Sequence, residues 1–116
     1  MKYFKLEEFQ CLCGCGYNPI STELIKKLDK ARAIAEVPFV ITSGSRCTKH
    51  NTDVGGSPYS SHIKGLAVDI KVKDSRTRHQ VLRALHQVGF ERVGISKDFI
   101  HCDIDSAKDQ KVCWVY

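Results

Sequence analysis

Apolar residues recur at helical spacing between Ser21 and Ala35, where Leu24, Ile25, Leu28, Ala31 and Ile34 fall on one face of the helical period. Ser21 is a candidate N-cap and Glu23 puts an acidic group in the first turn, so the pattern predicts a helix whose apolar stripe packs on a sheet. Pro38 then introduces PFVIT, a short β-rich run. It leads into SGSRCTKHNTDVGGSPYSSH, a polar stretch of roughly twenty residues without periodicity, a length that in a small domain usually means the loop carries function. LAVDIKVK alternates and reads as a strand that projects Asp69 to one face with Ala67 and Lys71. Ser75 is placed to cap a second helix running to Gln87, with Val81, Leu82, Leu85 and Val88 inward and Gly89 ending it. Short strands follow around RVGI, FIHCDI and VCWVY. This order predicts one small α+β domain over residues 1–116, with a mainly antiparallel sheet and two principal helices.

Composition narrows the class. At 116 residues the chain supports one core, and 42% hydrophobic with 27% charged residues is ordinary for a globular protein. No apolar run approaches the roughly 20 residues that cross a bilayer, so no membrane span is expected. The opening MKYFKLEEFQ has acidic residues where a secretion signal needs an apolar stretch. The formal charge of +5 favours polyanionic surroundings, such as nucleic acid, anionic lipid or acidic wall polymers. The basic residues are dispersed rather than blocked, which reads as a solvated face. The six cysteines are expected to be reduced. Cys11, Cys13 and Cys15 alternate, whereas paired zinc ligands usually have two to four residues between them. They are therefore read as small buried or turn-forming residues, with Cys47, Cys102 and Cys113 as core fillers.

The chemistry concentrates in His62, Asp69 and His101. Two imidazoles and a carboxylate suit zinc and leave one coordination position for water, as catalytic rather than structural zinc sites do. Gly65 permits the turn between His62 and Asp69, and His101 must arrive from a neighbouring strand. Asp103 shares the His101 strand face and is placed to orient polar groups there. Asp98 is the candidate proton acceptor, the alternative being a turn residue before the strand. Arg46 is a candidate to polarise the scissile carbonyl, the alternative being a loop anchor. His50, His79 and His86 are assigned no metal role.

These residues also carry a resemblance. TSGSRCTKHNTDVGGSPYSSHIKGLAVDI resembles the core of the zinc D-Ala-D-Ala carboxypeptidase family, which includes phage endolysins cutting the L-alanyl-D-glutamate bond and shares its fold with the hedgehog signalling domain. Ser60, His62, Gly65, Ala67 and Asp69 match its SxHxxGxAxD pattern, Ser43, Gly44 and Arg46 its SGxR, and His101 with Asp98 its later histidine and preceding acid. The resemblance implies a hedgehog/DD-peptidase-like fold with His62, Asp69 and His101 holding Zn2+. It further implies Asp98 as general acid/base, Arg46 as a carbonyl clamp, and Ser60 as an organiser of substrate or of the Arg46 loop.

The implied activity is hydrolysis of an amide in the peptide stems of bacterial peptidoglycan, by a monomer with no specific nucleic-acid partner. Without a signal, such an enzyme accumulates in the host cytoplasm and reaches the wall when another protein permeabilises the membrane. A zinc-holding binding domain without catalysis is the alternative. A metal-dependent nuclease is disfavoured, because no concentrated basic face with interleaved aromatics is visible.

Overall fold

The stretch after Ser21 folds as α1 (Thr22–Ala35), with Ser21 Oγ accepting from the Leu24 amide at 3.2 Å. In the computed structural model, which describes residues 2–116, a 3-10 turn at Leu6–Phe9 precedes it. After it come β1 (Ile41–Ser43), α2 (Thr48–Asp53), β2 (Ala67–Lys71), α3 (Ser75–Gln87), β3 (Arg92–Ile95), β4 (Phe99–Asp103) and β5 (Val112–Val115). The strands form one sheet in the order β1-β2-β4-β3-β5, antiparallel throughout except for the parallel β3–β5 pair. The expected α+β class and mainly antiparallel sheet are therefore observed.

Alternation along the strands gives the sheet two different faces. Val68 and Ile70 of β2, Ile100 and Cys102 of β4 and Val93 of β3 are buried in a core with Leu24, Ile25, Leu28 and Ala31 of α1 and Val81, Ala84 and Leu85 of α3. The two helices pack on each other over this face. The opposite face carries Asp69, His101, Asp103 and Arg92, and it is the face that bears the chemistry.

Three local expectations are corrected. The polar loop contains α2, whose start is capped by Cys47 Sγ accepting from the His50 amide at 3.3 Å. Asp74, rather than Ser75, caps α3, its side chain accepting from the Thr77 amide at 2.8 Å. Of the three cysteines assigned to the core, Cys102 is buried there, but Cys113 is exposed and Cys47 is half-buried beside Cys13. The basic side chains act as tethers as much as a solvated face. Lys27 reaches the Gly89 carbonyl, Arg78 the Lys97 carbonyl and Arg83 the Ile34 carbonyl.

Candidate metal centre

Register brings the ligands together. Asp69 in β2 stands directly opposite His101 in β4, a cross-strand pairing that sets their side chains side by side on one face. His62 arrives from the turn before β2. That turn needs Gly65, whose φ is +71° and whose position against the Pro19 carbonyl leaves no room for a Cβ. Asp69 Oδ1 lies 3.0 Å from His101 Nδ1 and 3.3 Å from His62 Nε2, and the three donor atoms fall within 4.8 Å of one another.

The far nitrogen of each ring is already committed. His62 Nδ1 lies 2.8 Å from the Gly44 carbonyl, which can only accept, so Nδ1 is the donor there and Nε2 is the nitrogen turned to Asp69. His101 Nε2 lies 2.7 Å from Asp103 Oδ2, leaving Nδ1 toward Asp69. Fixing a ligand imidazole through its second nitrogen is how protein metal sites set tautomer and ring orientation. This donor set, with a mixed Nε2/Nδ1 presentation and a carboxylate between, fits a zinc ion.

Asp103 is itself anchored. Its Oδ1 accepts from Arg92 Nε at 2.7 Å and from the Asp105 amide at 3.1 Å. Asp105 is buried and accepts from Ser61 Oγ at 2.7 Å and Lys64 Nζ at 3.0 Å. The electrostatics follow the geometry. Burial alone raises the Asp69 carboxyl, but hydrogen bonds from both imidazoles outweigh it and hold Asp69 down to about 2. Burial lowers His101, and its hydrogen bonds to Asp103 and Asp69 reverse the direction and raise it. The site is thus built to hold positive charge between carboxylates, which is also what a cation needs.

The centre opens into a cleft of about 610 Å³ over the polar face of the sheet. Arg46 lines it, with NH1 donating to Asn51 Oδ1 at 3.0 Å, and its amide donates to the His62 carbonyl at 3.0 Å. Ser60 lines it as well, its hydroxyl accepting from the His62 amide at 3.2 Å, so its visible part is to shape the His62 turn. Trp114 and Tyr116 form an aromatic wall. Trp114 sits beside His101 and over Gly94, where a Cβ would come within 2.5 Å of the indole Nε1. A smaller depression of about 290 Å³ near Val37 and Lys73 contains none of these residues.

Asp98 does not join them. It is exposed in the turn before β4, its carbonyl accepts from the Val72 amide, and it does not line the cleft. His50, set aside in sequence, does line the cleft. Arg92 and Trp114 went unassigned in sequence, although Arg92 shares the inward parity of the strand that pairs with β4.

A family model described as Peptidase M15 matches residues 2–103. The chain belongs to the peptidase M15 family. This is a family of zinc peptidases, and the match spans His62, Asp69, His101 and the anchoring Asp103. No curated protein matches the chain. Membership of a peptidase family implies peptide substrates, and among the described residues no helix is long and apolar enough to cross a membrane.

Proposed function

We propose that this M15 chain, as one zinc peptidase domain over residues 1–116, hydrolyses an amide bond in the peptide stem of bacterial peptidoglycan. The observation that carries the reading is the convergence of His62 Nε2, Asp69 Oδ1 and His101 Nδ1, with both rings locked from behind by Gly44 and Asp103. These three converging residues would hold zinc, which would supply Lewis acidity and lower the pKa of a bound water to about 7.

The chain's own residues supply the rest. Arg46, held against Asn51 at the cleft wall, donates to the scissile carbonyl and stabilises negative charge developing on its oxygen. His50 also lines the cleft, which supports giving its imidazole the task of taking up a proton and returning it to the leaving amine. Asp103 has no oxygen to spare for that task, because His101, Arg92 and the Asp105 amide occupy both.

Two features favour wall peptides over others. Arg46 and Lys108 give the cleft cationic edges suited to a peptide with free carboxylates, and the overall charge of +5 suits attachment to anionic wall polymers. The L-alanyl-D-glutamate endopeptidase type is the preferred form, acting after release from a host cytoplasm.

Mass analysis of fragments from defined muropeptides tests this. Wild-type protein with zinc should release fragments that identify a stem-peptide bond, chelation or His62→Ala should stop release, and added zinc should restore only the chelated wild type. His50→Gln should lower turnover far more than Asp98→Asn. Zinc bound without any cleavage would instead mark a non-catalytic zinc-holding domain of this fold.

A further inference from the structure

A second cluster of metal-ligating side chains lies apart from the His/Asp/His centre. The sulfurs of Cys11, Cys13, Cys15 and Cys47 all fall within 4.8 Å of one another. Cys11 Sγ is 3.5 Å from Cys13 Sγ, and Cys13 Sγ is 3.7 Å from Cys47 Sγ. A disulfide has its sulfurs about 2.05 Å apart. Four thiolates bound at about 2.3 Å to a tetrahedral ion lie about 3.8 Å from one another, the edge of that tetrahedron. The observed spacings match the edge.

The backbone is arranged for the same end. Gly14 and Gly16 both take positive φ, +84° and +86°, which coils the CLCGCG segment instead of letting it run extended. The turn is closed by the Cys11 amide donating to the Tyr17 carbonyl at 2.9 Å and the Gly14 amide to the Cys11 carbonyl at 3.3 Å. Backbone amides also point at the sulfurs. Cys47 N donates to Cys11 Sγ at 3.4 Å, His50 N to Cys47 Sγ at 3.3 Å, and Tyr17 N to Cys15 Sγ at 3.5 Å. Amide donors on sulfur favour the charged thiolate over the neutral thiol.

We infer that Cys11, Cys13, Cys15 and Cys47 form a closed, structural four-thiolate site for a thiophilic divalent cation, zinc by its ligand chemistry. Each thiol releases its proton to solvent as its sulfur binds. With all four positions filled by protein, no water is activated, and the role is architectural. The site ties the amino-terminal segment to Cys47, the residue after Arg46. Leu12, between two of the ligands, lines the substrate cleft, so the clip holds one cleft wall and the arginine loop in a single unit. The inference stands whether or not the cleft cuts peptidoglycan.

Elemental analysis with cobalt spectroscopy on the full chain tests it. Wild type purified under reducing conditions should carry two zinc ions per chain. His62→Ala should carry one, and so should the Cys13→Ser/Cys15→Ser double variant, with a lowered melting temperature. Cobalt-loaded wild type and His62→Ala should both show an intense thiolate-to-cobalt charge-transfer band in the near ultraviolet. An organomercurial should release one zinc from unaltered wild type, which keeps the test decisive if the double variant fails to fold. One zinc per chain with no charge-transfer band and no mercurial-released zinc would overturn the site, as would an intact mass showing these thiols oxidised to disulfides in freshly reduced, zinc-supplied protein.

Discussion

At the scale of single residues, the centre depends on groups that never touch the ion. Asp103 fixes His101 through Nε2, and partners of this kind typically change metal affinity by about 10–100-fold when removed. Asp103→Asn should therefore weaken zinc binding at this centre by about that factor in a competition titration while leaving the centre filled at saturation; unchanged affinity would show that His101 is oriented by packing alone. Asp105 supports the same network from further back. Burial by itself raises its carboxyl, but hydrogen bonds from Ser61 and Lys64 outweigh burial and hold it below its ordinary value. A carboxylate depressed in the folded state contributes stability above its unfolded pKa of about 3.9 and loses that contribution as pH falls through the folded value. Asp105→Asn should thus melt below wild type at neutral pH, with the gap closing as pH falls from about 5 toward 2. A gap constant across that range would mean the carboxylate's charge is not what stabilises the fold.

At the scale of elements, the parts with a clear period were legible in sequence and the parts without one were not. α1 and the alternation of β2 and β4 follow from apolar spacing, and once β2 pairs β4 the meeting of Asp69 with His101 needs only register. α2 was hidden because six residues make too few turns to show an amphipathic stripe, and its cap is a cysteine. Asp98 lies in the turn ahead of β4, so neither a helical nor a strand period fixes where its carboxylate points. The convergence of Cys11, Cys13 and Cys15 with Cys47 is not visible in their spacing, because Gly14 and Gly16 coil the segment and Cys47 comes from beyond β1. The helical layer still sets how firmly the sheet is held. Leu28 is fully buried between α1 and the sheet, so Leu28→Ala should cost about 2–5 kcal/mol in urea unfolding. A loss well under 1 kcal/mol would show that α1 is not part of the cooperative core.

At the scale of the whole molecule, one sheet divides the labour. Its buried face supplies the packing that fixes strand register, and its open face converts register into a ligand set, with the loops around Cys11 and Arg46 forming the cleft wall. The proposed chemistry requires an ion bound between β2, β4 and the His62 turn. Anomalous scattering at the zinc absorption edge from crystals of zinc-supplied protein tests this most directly. The predicted result is a peak about 2.0–2.2 Å from His62 Nε2, a carboxylate oxygen of Asp69 and His101 Nδ1, with His101 Nε2 still on Asp103. A map with no peak among these three residues, or with the ion on His101 Nε2 in place of Asp103, would contradict it.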